Sequence, residues 1–120
     1  MEQIRLGAIE ARFADIVWDN EPVKTRDLVS LCAEALNWKR TTTYTVLKKL
    51  CERGIFVTEN STVRSIISRS EFYSIQSEKF VDEAFSGSLP SFIASFTARK
   101  KPTAEEIREI REMIDMFDEE

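Results

Sequence analysis

The switch from helical to extended character at Gly54 restricts the fold of this 120-residue chain more than any other feature. Before the glycine, Thr43, Leu47 and Leu50 recur at i, i+4 and i+7, which is the spacing of a helix with one buried face. Gly54 suits the end of that helix because glycine readily adopts a left-handed conformation, and Thr41 is the predicted N-cap. Two β-branched runs and the turn between them follow at residues 55–58, 63–67 and 59–62. The pattern predicts a helix followed at once by a β-hairpin.

Two further amphipathic segments precede this helix. Residues 7–18 carry apolar side chains at helical spacing and stop at the turn-forming residues 19–22. A second run places Leu28, Cys32 and Leu36 on one side and ends near residue 37. Three short helices and a hairpin within the first 67 residues predict a winged helix-turn-helix domain.

The remaining residues predict three more helices, which begin near Ser68, Ser88 and Thr103. These helices are too few to bury their apolar faces as a separate domain, so we expect them to pair with a second copy. The alternative is that they fold back on the winged helix of their own chain. The residues predicted to form the dimer interface are Phe72, Phe80, Phe85, Leu89, Phe92, Ile93, Phe96, Ile107, Ile110, Ile114 and Phe117.

The predicted fold class is therefore mainly α with a small β-hairpin. A winged helix-turn-helix DNA-binding domain spans residues 1–67, and a helical dimerisation domain spans residues 68–120.

Composition excludes several classes of function. Histidine is absent, which removes the commonest general base and the commonest zinc ligand. The sequence also has no Gly-rich phosphate loop, so we predict no enzymatic activity, no metal and no cofactor. Cys32 and Cys51 lie on apolar helix faces and are expected to be reduced. No apolar run approaches the roughly 20 residues that span a bilayer, and none resembles a signal peptide. We expect a cytoplasmic protein that does not insert into membranes.

The net charge of −4 conceals an uneven distribution. Residues 1–67 hold ten Lys and Arg against nine Asp and Glu, whereas residues 68–120 hold seven against twelve. From residue 38 to residue 64, six cations accompany only two carboxylates. The sequence therefore predicts a local basic surface on the third helix and the hairpin.

That third helix, residues 41–53, is the predicted recognition helix. Short polar side chains near its start suit contacts with base edges in the major groove, and the neighbouring cations suit phosphates. The residues predicted to bind DNA are Lys39, Arg40, Thr41, Thr42, Tyr44, Thr45, Lys48 and Lys49 on and before this helix, and Arg64 on the hairpin.

Less specific interpretations exist for these features. A threonine-rich helix face can simply be solvated, and Arg64 can keep an edge strand soluble. The alternative function is a winged-helix protein-interaction module that no longer binds DNA.

Several stretches resemble the penicillinase repressor (BlaI/MecI/CopY) family of bacterial transcriptional regulators. The most specific is the recognition-helix motif TTTYTVLKKL at residues 41–50, followed by ERG at 52–54. The start LGAIE at residues 6–10, the IVW at 16–18, and SRSEF and FSGSL at 68–72 and 85–89 are also similar to the family pattern.

The resemblance implies a homodimeric repressor that occupies a palindromic double-stranded DNA operator and blocks transcription. It also implies, as a further partner, a membrane sensor protease that leads to cleavage before a Phe, here between Ser95 and Phe96. Ser95 stands where the well-known members have Asn. The hairpin is a few residues shorter than in the family, and the Cys-x-Cys pair of the copper-responsive branch is absent.

Overall fold

The computed structural model describes residues 6–119, and within that range it contains six helices and three short strands. In chain order they are α1 (Ala8–Asn20), β1 (Val23–Lys24), α2 (Thr25–Leu36), α3 (Arg40–Glu52), β2 (Phe56–Glu59), β3 (Thr62–Ser65), α4 (Arg69–Phe85), α5 (Leu89–Arg99) and α6 (Ala104–Asp118). Three helices followed by a hairpin confirm the predicted winged helix, and three further helices follow it. None of the helices in this range is long and apolar enough to cross a membrane.

One hydrophobic core holds α1, α2, α3 and the hairpin together. The apolar face of each helix points into it, and the periodicity of the sequence already indicated those faces. The buried residues of this core are Phe13, Ala14, Val17, Trp18, Val23, Leu28, Cys32, Thr43, Leu47, Leu50, Ile55, Phe56, Val63 and Phe72.

The ends of α2 and α3 follow local backbone chemistry. Asn37 ends α2 in the left-handed conformation, with φ 57°. Gly54 follows α3 with φ 80°, as predicted, and its N–H donates to the carbonyl of Cys51 at 3.0 Å. The predicted N-cap was wrong by two residues. Lys39 is the N-cap, because its extended backbone lets its carbonyl accept the first helical hydrogen bond, from the N–H of Thr43 at 3.1 Å.

The hairpin strands β2 and β3 form a three-stranded antiparallel sheet together with β1, in the order β1-β3-β2. Glu59 faces Thr62 across a two-residue loop, and Asn60 and Ser61 in that loop have φ 53° and 59°. Positive φ at both loop positions is the turn geometry that matches the twist of a hairpin. The third strand, β1, was not predicted, because two residues carry no alternating pattern.

The first turn of α4 is bound to the winged helix. The hydroxyl of Ser68 accepts a hydrogen bond from the N–H of Glu71 at 3.1 Å. Arg69 forms ion pairs with Asp15 at 3.3 Å and Asp19 at 2.6 Å, both on α1. These contacts hold the start of α4 against α1.

Phe72 corrects one of the predictions. We expected it at a dimer interface, but only 1% of it is exposed, and its ring lies 5.5 Å from the ring of Trp18. The side chain fills the winged-helix core because the preceding turn of α4 is held on α1. Consistent with this, the chain divides into two compact units between Ser77 and Glu78, within α4.

The second unit contains the end of α4 together with α5 and α6. The hydroxyl of Ser88 caps α5 by accepting from the N–H of Ser91 at 3.1 Å. Thr103 and Glu106 form the predicted capping box of α6, with hydrogen bonds of 3.1 and 2.9 Å. Four phenylalanine rings contact one another around the start of α5, at centroid distances of 5.6–6.3 Å: Phe80, Phe85, Phe92 and Phe96.

Candidate nucleic-acid interface

The outer face of α3 is polar and exposed. Its buried side carries Thr43, Leu47 and Leu50, so the residues on the opposite side must point outward. Those outward residues are Thr41, Thr45 and Lys48, spaced at i, i+4 and i+7, with Thr42 exposed beside them. Short hydroxyl side chains near the start of the helix are followed by one cation in this row, Lys48, whereas the sequence predicted both Lys48 and Lys49 for the DNA-binding surface.

Two contacts organise the start of this face. The guanidinium of Arg40 lies 5.4 Å from the ring centroid of Tyr44, which is half-buried. Stacking on a ring reduces the conformational freedom of the arginine without using its hydrogen-bond donors. One turn along, the hydroxyl of Thr45 donates to the carbonyl of Thr41 at 2.8 Å. Thr45 therefore presents oxygen lone pairs outward, and Arg40 presents N–H donors.

Lys49 points to a different partner. Its ammonium lies 3.3 Å from Oε2 of Glu10 on α1, and the guanidinium of Arg53 lies 3.2 Å from Oε1 of the same carboxylate. The N–H of Gly7 also donates to Glu10 at 3.1 Å. That backbone hydrogen bond, together with Lys49 and Arg53, lowers the pKa of Glu10 in spite of its partial burial. Lys49 thus lies on the flank of α3 that faces α1.

The cation predicted on the hairpin is also paired. Arg64 on β3 forms an ion pair with Glu59 on β2 at 2.7 Å. Both side chains are more than half exposed, at 56% and 60%, so water screens the pair and it contributes little to stability.

The structure therefore separates the nine predicted DNA-binding residues into two groups. Thr41, Thr42, Tyr44 and Thr45 lie on the first two turns of α3, and Lys39, Arg40 and Lys48 accompany them without an ion pair among the residues that the structure describes. Lys49 and Arg64 are engaged by carboxylates.

Sequence reasoning missed the role of Glu10. It lies 39 positions before Lys49, on another helix, so no local spacing indicates their pairing. The only signal was its place in the first turn of α1, where a Glu three residues after the N-cap residue Gly7 can accept the N–H of that residue.

The second unit carries a different kind of surface. Neither α5 nor α6 has a buried residue, although both have an apolar face. The large apolar residues exposed there include Phe80, Leu89, Ile93, Phe96, Ile107, Ile110, Met113, Ile114, Met116 and Phe117. Monomeric proteins rarely leave so many large apolar side chains in water. Phe85 and Phe92 are half-buried by the ring contacts described above.

Comparison with known proteins adds one finding. A family model described as penicillinase repressor matches residues 6–116, which covers both the winged helix and most of the second unit. No curated protein sequence matches the chain.

Proposed function

Because the chain belongs to the penicillinase repressor family, we propose that it represses transcription by binding a palindromic DNA operator as a homodimer. The observation that carries the proposal is the outer face of α3. Exposed Thr41, Thr42 and Thr45 lie there beside Arg40 and Lys48, which form no ion pair within residues 6–119, while the other side of the same helix is buried.

In this proposal the two kinds of side chain have separate roles. Thr41 and Thr42 contact base edges in the major groove, where a hydroxyl group can both donate and accept. Thr45, whose proton goes to the carbonyl of Thr41, contacts them as an acceptor. Arg40, steadied by the ring of Tyr44, reads base edges or an adjacent phosphate. Lys39 and Lys48 bind phosphates and so hold the helix in register without reading sequence.

The second unit supports the proposed dimer. The exposed apolar faces of α5 and α6 are removed from water when two copies pair, and a symmetric pair matches the symmetry of a palindrome. The proposal places the protein in the cytoplasm. It also includes induction by a membrane sensor protease, as the resemblance implies. The bond between Ser95 and Phe96 lies inside α5, so cleavage there requires local opening of that helix.

DNA binding is tested by footprinting the full chain on the DNA upstream of its own gene, over a series of salt concentrations. Lys48→Gln is expected to reduce the slope of log K against log salt by about 0.9 for each subunit bound. Lys101→Gln, which removes the same charge from an exposed position between α5 and α6, serves as the matched control. Absence of any footprint at low salt would reject the proposal and favour the protein-interaction module.

Dimerisation is tested by sedimentation. Phe117→Glu places a charge on the apolar face of α6 and is expected to shift the chain towards monomer. Ile9→Glu makes the same change at an exposed apolar residue of α1 and is expected to leave the mass unchanged. Equal behaviour of the two variants would contradict the assigned interface.

A further inference from the structure

The carboxylate of Glu10 joins α1 to the last turn of α3 and to the C-cap residue that follows it. One oxygen lies 3.2 Å from the guanidinium of Arg53, and the other lies 3.3 Å from the ammonium of Lys49. Only 19% of the Glu10 side chain is exposed, whereas 55% of the Lys49 side chain is exposed. A half-buried anion therefore holds an exposed lysine on the recognition helix.

The position of this carboxylate is constrained by a second role. Oε1 also accepts the N–H of Gly7, the N-cap residue of α1, at 3.1 Å. Turning the carboxylate away from Lys49 would break this hydrogen bond at the start of α1. The anion is thus fixed by the protein and does not merely follow the lysine.

The pair on the hairpin lacks these features. Glu59 on β2 and Arg64 on β3 are both more than half exposed, so an approaching phosphate can replace Glu59 at little cost. Glu10 has three donors around it and is mostly screened from water. Replacing it as the partner of Lys49 is accordingly harder.

We infer that Glu10 is a positioning residue that withholds Lys49 from the DNA backbone. The inference rests on the proposed function and refines it, since it removes one of the two lysines of α3 from the set of phosphate contacts. Phosphate contacts carry no sequence information, so Glu10 limits affinity for operator and unrelated DNA alike. Sequence preference then stays with the first two turns of α3.

The test is a double-mutant cycle in full-length protein, with affinity for an operator duplex and an unrelated duplex measured at several salt concentrations. Glu10→Gln removes the charge while its side-chain oxygen can still cap α1. In that background Lys49 becomes available to a phosphate, and the salt slope is expected to steepen by about 0.9 per subunit. For two subunits, a fourfold decrease in salt is then expected to raise the affinity of Glu10→Gln by about tenfold more than it raises that of wild type. The factor should be similar for both duplexes.

Lys49→Gln supplies the other arm of the cycle. It is expected to change affinity less than about twofold in the wild-type background and to abolish the gain in the Glu10→Gln background. The matched control is Glu52→Gln, an exposed carboxylate on the same helix. It removes the same charge but releases no lysine. In the Glu52→Gln background the effect of Lys49→Gln on affinity should therefore be as small as in wild type.

A second measurement needs no variant. Acylation of lysines in the wild-type protein, followed by mass spectrometry, is expected to show that bound DNA protects Lys48 much more than Lys49. Equal protection of the two lysines, or an equal loss of affinity from Lys49→Gln in both backgrounds, would overturn this inference but not the proposed function. If the wild-type protein bound neither duplex, the proposed function would fail together with it.

Discussion

Phe72→Ala is the substitution that separates a core role for this residue from an interface role. The ring is 1% exposed and lies 5.5 Å from the ring of Trp18 and 5.3 Å from that of Tyr73. Removing a buried phenylalanine side chain costs about 3–5 kcal/mol, because burial of the ring is lost and a cavity remains. A small domain has only about 5–15 kcal/mol of stability, so the variant should lose a large part of it.

The assay is urea unfolding followed by tryptophan fluorescence, since Trp18 and Trp38 both lie in the winged helix. With a slope of about 2 kcal/mol per molar urea, the midpoint is expected to fall by roughly 2 M. The loss should be the same at low and at high protein concentration, because the contacts lie within one chain. Phe72→Leu keeps part of the side chain and should give a smaller loss, which maintains a measurable transition if the alanine variant is unfolded.

Phe80→Ala is the matched control in the same helix. Phe80 is 54% exposed in the single chain, so its removal should cost little at low concentration. In a dimer its effect should grow with protein concentration. If Phe72→Ala cost less than about 1 kcal/mol, or if its cost vanished on dilution, the assignment of Phe72 to the core would be refuted.

Three further predictions concern pH, thiol reactivity and capping. The pKa of Glu10 is lowered below its ordinary value of 4.5, chiefly by the hydrogen bond from the Gly7 N–H, so its contribution to stability is present above that value and is lost as pH falls through the lowered pKa. Acid titration of the unfolding free energy should therefore show a steeper decline in wild type than in Glu10→Gln, and equal slopes would contradict this. Cys32 is fully buried, and burial raises the pKa of its thiol, whereas Cys51 is half-buried; a thiol reagent should label Cys51 first and Cys32 only after unfolding. Thr103→Ala removes the N-cap of α6 and should destabilise that helix by about 1 kcal/mol, measured as a loss of helical circular dichroism on heating.

Local features of the sequence determined most of the fold. Gly54 follows α3 and Asn60 lies in the hairpin loop, and both are residue types that readily adopt the positive φ needed there. Ser61 takes positive φ because the two-residue loop requires it at both positions. Apolar periodicity indicated the buried faces of α1, α2 and α3 for a similar reason, since residues three and four apart share one side of a helix. The outer face of α3, and with it the centre of the candidate site, could therefore be read without a structure.

Tertiary structure decided which charged and aromatic side chains are available. Phe72 fits the apolar pattern of an interface, yet it is in the core because Arg69 holds the start of α4 on α1. Lys49 resembles Lys48 in sequence, but the 100° between successive helical residues turns it towards Glu10. Such pairings join positions far apart in the chain, and their existence depends on how the helices pack, which no local spacing records.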